Sequence, residues 1–290
     1  MNLSIFGRTI RSYGTHSSIA GWSKLAIAAL VVGMASCNTK PSSSTDTTYP
    51  SDLVSDNTKG PVTQIETDSY LLDSTGKPAA AIDEKYLVKY DSSGFVTSVT
   101  TSNGKDSVKN IATYTHNAKG MMLGQVITDG NNKKKSSLTV EYDSTGKPTI
   151  AISYDSTGKM DMYFTDIGMS KYGKITSGKA YHPDSTIKFS FVNDYDSIHY
   201  TGGSSKDSVG KETYSATVQL DSLGNAEKME ETSVSLDSAT KKDVTKKTTT
   251  TYTYGAVDSH GNWTEQTEHI TGDDKTKLPH FNKRILTYKQ

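Results

Sequence analysis

Short turns that begin with Asp or Asn and end with Gly recur along most of this 290-residue chain. In such a turn the first side chain accepts hydrogen bonds from the backbone ahead of it, and the glycine adopts the positive φ that closes the turn. Turns this frequent leave space only for short elements, so the sequence predicts strands rather than long helices. The pattern Asp-Ser-x-Gly begins at Asp73, Asp91, Asp143, Asp155, Asp207, Asp221 and Asp258, with a weaker copy at Asn117.

The segments between these turns alternate apolar and polar residues. The clearest examples are residues 86–90, 138–142, 150–154, 187–191 and 214–220. Period-two alternation with β-branched and aromatic residues predicts half-buried strands. Apolar residues make up only 33% of the chain, which favours a thin sheet with one face in water over a thick core.

The turns also define a repeat, because Asp91, Asn117 and Asp143 are evenly spaced. One unit holds two strands and two turns, and the second turn falls near Asn103 or Gly130. Consecutive strands joined by tight turns form antiparallel hairpins. The sequence therefore predicts an all-β fold, a repetitive antiparallel meander that forms an extended twisted or curved sheet and could curl as far as a half-barrel.

Three of the turns carry a family resemblance. Residues Tyr90–Gly94, Tyr142–Lys147 and Tyr154–Lys159 resemble the Tyr-Asp-x-x-Gly-Arg/Lys core of YD (RHS-type) repeats. The C-terminal stretches 252–264 and 283–288 are similar to the closing hairpins of YD-like exported lipoproteins of Bacteroidota. The resemblance implies an extended β-sheet structure and a cell-envelope location, and it implies no chemistry.

The N-terminus has the features of an export signal. Basic residues, the last of them Lys24, precede an apolar run over residues 25–35. A run of about 11 residues has the length of a signal-peptide core, whereas a membrane span takes about 20. Residues 34–36, just before Cys37, resemble the lipobox of bacterial lipoproteins, whose cysteine is lipidated after the signal is cut. The resemblance implies a lipid anchor at Cys37, and a plain cleaved signal with an incidental cysteine is the alternative.

These features predict three regions. Residues 1–36 are the lipoprotein signal peptide, residues 37–61 a flexible tether, and residues 62–290 the YD-like β-repeat domain. The tether is rich in Ser, Thr, Asp and Pro, and such a segment cannot bury enough apolar surface to order itself. The predicted location is a membrane-anchored lipoprotein of the outer membrane, with the periplasmic and surface faces both open.

Motifs for catalytic, cofactor and metal sites are missing from the sequence. The seven histidines show no metal-ligand spacing, and there is no nucleophile elbow or phosphate-binding loop. Asp194 and Asp196 would share a strand face, but two carboxylates do not complete a calcium shell of roughly six to eight oxygens. Ser, His and Asp are too plentiful for composition to exclude a triad. We predict no catalytic residue, no cofactor and no metal, and therefore no enzyme.

Two further sets of residues are candidate sites. Tyr252, Tyr254 and Trp263 could form a recognition surface for sugars or partner side chains, and cross-strand packing is the alternative. Exported Bacteroidota proteins are O-glycosylated at a short Asp-Ser/Thr motif, and the resemblance to them implies acceptor sites at Thr47, Ser107 and Ser197. The alternative is that Asp-Ser is simply turn chemistry.

The leading hypothesis is a non-catalytic envelope lipoprotein used for binding or scaffolding. Its expected partners are the membrane, through the lipid, and a glycan or envelope protein. The net charge of zero gives no footprint for nucleic acid. The alternatives are a glycan-active hydrolase, which would need a cleft with two facing carboxylates, and a carrier, which would need an apolar cavity of roughly 300 Å³ or more.

Overall fold

A computed structural model describes residues 49–237, 240 and 242–290. In this part of the chain one turn of helix precedes sixteen strands that are joined by tight turns and short loops. The helix, α1, spans Asp52–Ser55. The strands are β1 Val62–Leu71, β2 Glu84–Tyr90, β3 Val96–Asn103, β4 Val108–His116, β5 Met122–Thr128, β6 Lys134–Tyr142, β7 Pro148–Tyr154, β8 Met160–Met169, β9 Ile175–Tyr181, β10 Ile187–Asp196, β11 His199–Asp207, β12 Glu212–Leu220, β13 Ala226–Leu236, β14 Asp243–Tyr254, β15 Glu265–Gly272 and β16 His280–Tyr288.

The strands form one closed antiparallel barrel in chain order. Each strand pairs with its neighbours in sequence, and β16 returns to pair with β1, where Ile65 lies opposite Leu286 and Tyr70 opposite Phe281. The predicted all-β antiparallel meander is confirmed. The sheet curves further than the half-barrel considered from the sequence and closes completely. Alternation within a strand predicts which face is buried, but it does not predict whether the first and last strands pair. Closure removes both edges.

The meander divides the turns between two ends of the barrel. Turns after even-numbered strands lie at one end, here the near end, and turns after odd-numbered strands lie at the far end. The evenly spaced turns at Asp91, Asn117 and Asp143 are therefore all at the near end, and their second turns, at Asn103 and Asp129, are at the far end. Each repeat unit of two strands and two turns therefore adds one hairpin to the wall of the barrel.

The turn chemistry is that expected from the sequence. Asp91 Oδ1 accepts hydrogen bonds from the N–H groups of Ser93 at 2.8 Å and Phe95 at 3.0 Å, and Gly94 closes the turn with φ +85°. Where glycine is missing, another residue takes its place. In the turn that begins at Asn103, Asp106 adopts φ +60°.

Residues 49–61, here called the strap, lie across the near end. Leu53 N donates to Gly94 O at 3.2 Å, and Asp52 and Leu53 are buried. The flexible tether predicted for residues 37–61 is therefore wrong over residues 49–61. Only two aliphatic residues were needed to order this stretch, because the barrel end supplies the rest of the apolar surface. Residues 37–48 of the tether and the signal peptide lie outside the described residues.

The interior of the barrel is filled by side chains. The larger apolar cluster includes Phe164 and Phe189, whose rings are 6.1 Å apart in an edge-to-face arrangement. The smaller cluster joins Leu53 of the strap to Val62 and Ile65 of β1. Some polar inward side chains are hydrogen-bonded to one another, as at Asn282, whose amide N–H groups donate to Gln266 at 3.0 Å and to Glu268 at 3.1 Å. Such pairing removes most of the cost of burying them.

Candidate functional site

The strap joins the barrel through a buried ionic group at the near end. Asp52 of α1 is 5% exposed, and its carboxylate accepts a hydrogen bond from Val96 N at 2.7 Å. Lys174, in the turn after β8, is 7% exposed and donates to Ser55 Oγ at 2.6 Å. A charged group buried this deeply needs a partner, and each bond joins the strap to the barrel, one between Asp52 and the backbone of β3 and one between Lys174 and the side chain of Ser55.

Burial dominates the electrostatics of this group. It raises the pKa of Asp52, although the hydrogen bond from Val96 and the charge of Lys174 oppose the rise. It lowers the pKa of Lys174 to about 8, against the attraction of Asp52 and Asp56. It also lowers the pKa of the nearby His116. Each shift favours the neutral form of its group, which is the effect of a low-dielectric site.

The residue after the turn glycine distinguishes the two ends. At the near end this position holds buried side chains such as Phe95, Met121 and Asn262, which are 5%, 5% and 3% exposed. At the far end the same position holds exposed lysines, as at Lys77 and Lys159. The strap covers the first set and leaves the second in water. Two near-end turns depart from this contrast, because Lys147 and Lys174 also follow turn glycines and Lys147 is exposed, so the sequence marks the covered end only in part.

The far end has a polar closure of its own. The loop between β15 and β16 reaches over the mouth, where Lys277 forms an ion pair with the buried Glu231 of β13. Tyr214 OH donates to the same carboxylate at 3.0 Å, and burial raises the pKa of Tyr214. The adjacent residue Glu230 points the opposite way, outward, where it forms an ion pair with Lys228 at 2.8 Å.

The outer face of the barrel is polar. On β14 the buried inward residues Thr248, Thr250 and Tyr252 alternate with Lys247 and Thr251, which are exposed. Acidic and basic side chains occupy the same face of the neighbouring strands, including Glu66, Asp68, Lys228, Glu230, Glu265 and Lys283.

Ile152, Tyr163 and Tyr181 lie side by side on the opposite outer surface, but other aliphatic residues there lie among polar ones. Val126 is 41% exposed and pairs with Ser137, and Val192 is 50% exposed and pairs with Ser204. An apolar side chain that faces a serine across the strand does not extend into a continuous apolar band. The apolar residues therefore form a local row of three strands and not a band around the barrel, and the rest of the outer surface is suited to contact with water.

A shallow outer groove of about 230 Å³ lies where β15 and β16 separate. Its acidic residues are Glu66, Asp68 and Glu265. Lys283 lies between two of them in register, opposite Asp68 on one side and Glu265 on the other. These carboxylates flank an amine instead of facing each other across open space, and the volume is below the roughly 300 Å³ of ordinary ligand pockets. The groove does not have the form expected of a hydrolase cleft.

The candidate recognition aromatics lie in the same part of the barrel, but they pack against neighbouring residues and do not form an open recognition surface. Tyr252 is 7% exposed and points inward. Tyr254 OH donates to Ala226 O at 2.8 Å. The Trp263 ring lies 5.6 Å from that of Tyr254 and carries the Arg284 guanidinium 3.9 Å above its face. The interaction is a cation–π contact, and it occupies a ring face that a sugar would need.

Two of the four candidate modification sites lie within the residues that the structure describes. Cys37 and Thr47 lie outside the described residues. Ser107 and Ser197 are both exposed in turns. Ser197 itself adopts φ +56°, and Asp106 takes the glycine position of its turn, so turn geometry explains these two motifs better than the sequence suggested. Glycosylation at all three sites stays a prediction.

The part of the chain that the structure describes has neither a metal-binding cluster nor a membrane-spanning helix. There, no three His, Asp or Glu side chains are placed to hold a metal ion. No helix in residues 49–290, apart from the three undescribed positions, is long and apolar enough to cross a membrane.

Comparisons with known proteins bear on the fold. No protein-family model matches the chain, and no curated protein matches it. Among solved structures, a porin-like protein from Bacteroides uniformis aligns with a TM-score of 0.50 at 16% identity, over 83% of this chain and 100% of that one. At this identity the likeness shows a shared fold.

Two further structures align with lower scores. A porin-like protein from Bacteroides vulgatus has a TM-score of 0.31 at 12% identity, over 79% of this chain and 98% of that one. The Tc holotoxin pore of Photorhabdus luminescens has a TM-score of 0.31 at 13% identity, over 77% of this chain and 11% of that one. The resemblance to YD repeats and to exported lipoproteins stays a prediction drawn from the sequence motifs.

Proposed function

We propose that this chain is a non-catalytic cell-envelope lipoprotein, whose barrel is a binding or scaffolding module held at the outer membrane by lipid on Cys37. One observation carries the proposal, namely that the barrel is polar outside and packed inside. A membrane-spanning barrel has the reverse arrangement, an apolar outer band about 25 Å tall around a polar interior. A barrel with this surface stands in water and reaches a membrane only through an attached anchor.

The packed interior favours a scaffold over a carrier or a pore. Ala151, Met162, Phe164 and Ala180 are each 0% exposed, and the strap covers the near end. A carrier would need an apolar cavity of roughly 300 Å³ or more, and a pore would need an open lumen. Binding is then a property of the barrel surface, and its proposed partners are a glycan or another envelope protein.

The envelope location has support from two sides. The N-terminal sequence has the order of a lipoprotein signal, and the structure that shares the fold at a TM-score of 0.50 is a porin-like protein from Bacteroides uniformis. The name of that protein is not extended to this one, because the polar outer face argues against a pore.

Membrane fractionation of a Cys37→Ala variant tests the anchor. The wild type should sediment with membranes after a carbonate wash, and Cys37→Ala should appear in the soluble fraction as a folded β protein. Ser42→Ala, which leaves the lipobox intact, is the matched control and should behave as the wild type. Retention of Cys37→Ala in the washed membranes would show that the proposal is wrong.

A further inference from the structure

The near end of the barrel exposes apolar side chains at the same place where the chain leaves for its anchor. We propose that this end rests on the bilayer that carries the anchor, with Leu223 and Val257 in the headgroup layer. The inference rests on the proposed lipid at Cys37 and adds an orientation to it.

The position of the strap supplies the first argument. Tyr49, where the described chain begins, lies at the near end, and its N–H donates to Lys119 O at 3.4 Å. The stretch from Cys37 to Tyr49 spans at most about 40 Å when fully extended. A strand of nine or ten residues is about 30 Å long. To bring the far end to the membrane, this stretch would have to run back along nearly the whole barrel.

The apolar residues supply the second argument. Leu223 is 61% exposed and Val257 is 63% exposed, in neighbouring hairpins of the near end. The strap runs between them, because the Asn57 amide donates to Leu223 O and Lys59 N donates to Asn262 Oδ1 at 2.7 Å. Large aliphatic side chains left in water beside an anchored segment gain by entering a lipid interface.

The charges at this end fit a headgroup layer except at one hairpin. Long lysine side chains can reach phosphates while their stems stay in apolar surroundings. The turn carboxylates are engaged with their own backbone, as at Asp221, which accepts from Leu223 N at 2.8 Å. Asp194 and Asp196 are exposed on the β10–β11 hairpin, next to the hairpin that carries Leu223, and their negative charge opposes docking at that one point of the rim. Exposed lysines of the near end include Lys59, Lys119, Lys147, Lys171 and Lys289.

The far end offers a matched comparison. Val209 occupies the same position in the turn Asp207–Gly210 that Leu223 occupies in the turn Asp221–Gly224. Val209 is 84% exposed, so exposure alone would make it the stronger membrane contact. Only the orientation of the barrel predicts that Leu223 enters lipid and Val209 does not.

Single-cysteine labelling of the full lipidated protein tests the orientation. The chain has one cysteine, and lipidation consumes its thiol, so Leu223→Cys and Val209→Cys each add one free thiol for an environment-sensitive fluorophore. The variants are reconstituted in phosphatidylethanolamine–phosphatidylglycerol vesicles with and without headgroup spin-labelled lipid. We expect at least twofold quenching and a blue shift at position 223, and unchanged emission at position 209. Val257→Cys should follow Leu223→Cys.

Every other outcome overturns the orientation. If the protein floats with the vesicles but both labels stay in water, docking is wrong and the anchor stands. Quenching at position 209, alone or together with position 223, means an inverted or side-lying barrel. If the wild type does not float and Cys37 reacts with the fluorophore, the anchor has failed and the inference fails with it. Circular dichroism of each variant confirms that these exposed turn positions leave the fold intact.

Discussion

At the residue scale, the buried amine of Lys174 is the group that most depends on its surroundings. Its contacts with Ser55 and the charges of Asp52 and Asp56 hold it under the strap. Other lysines that follow a turn glycine are exposed, as at Lys77, Lys147 and Lys159. Lys174 differs because the strap covers its turn, and nothing local to the sequence shows that a distant segment will do so.

The lowered pKa of Lys174 predicts a pH dependence of stability. Between about pH 8 and the ordinary value of 10.5, the unfolded chain still binds this proton and the folded chain has released it. The free energy of unfolding therefore rises with pH in that window, by up to about 3 kcal/mol from this group. Lys174→Met should lack the rise, whereas Lys171→Met, an exposed neighbour in the same turn, should keep it. Urea unfolding of the three proteins at pH 7, 8, 9 and 10 measures this, and parallel curves for the wild type and Lys174→Met would contradict it.

Substitutions at two turn glycines distinguish the cost of backbone strain from the cost of a steric clash. Gly120 and Gly158 have φ of +81° and +86°, so an added methyl group strains both alike, by about 1–2 kcal/mol. At Gly120 the methyl would also lie 1.9 Å from the Phe95 ring, whereas at Gly158 nothing lies within 4 Å. Gly120→Ala should therefore destabilise the protein by several kcal/mol more than Gly158→Ala. Equal losses in a urea titration would mean that Phe95 does not pack on the near-end turn.

At the scale of elements, the turns were predictable and the strap was not. An Asp side chain that bonds its own backbone needs only residues close in sequence, which is why the hairpins follow from the motif. The strap has a short helix whose N-cap residue, Ser51, makes no capping bond, and only Leu53 and Val54 are aliphatic. Its order comes from the barrel end, a surface that exists only after distant strands have assembled.

Leu53 tests whether the strap is part of the folded unit. It is 6% exposed and packs with Val62, Ile65 and Val96. Leu53→Ala should cost roughly 2–5 kcal/mol, the range for buried leucines. Leu223→Ala, an exposed leucine at the same end, should change the free energy of unfolding by less than about 0.5 kcal/mol. A strap that behaves as a flexible tether would give the same small change for both.

At the scale of the whole molecule, the sequence predicted the fold class but not the closure. The alternation of apolar and polar residues indicated that each strand has an inner and an outer face. The low apolar content indicated that one face of the sheet lies in water. Closure depends on the register of β1 with β16, the two most distant strands in the chain. The same limit explains why Tyr252 was a candidate recognition residue. The sequence does not show whether its face of the sheet turns toward the barrel interior or toward the outside.

The polar outer face is the basis of the proposed function, and it can be measured in the native membrane. Thr250 and Thr251 are adjacent on β14, the first 5% exposed and inward, the second exposed and outward. Both accept a cysteine with little change in volume. A barrel that stands in water should leave position 251 open to a membrane-impermeant maleimide on opened membranes without detergent, and should protect position 250.

Labelling of Thr251→Cys and Thr250→Cys is thus the most direct test of the central claim. The account predicts rapid reaction at position 251 in membranes, at the rate found in detergent, and reaction at position 250 only after denaturation. If position 251 reacts only once detergent has removed the lipid, the outer face is embedded in a bilayer and the claim is contradicted.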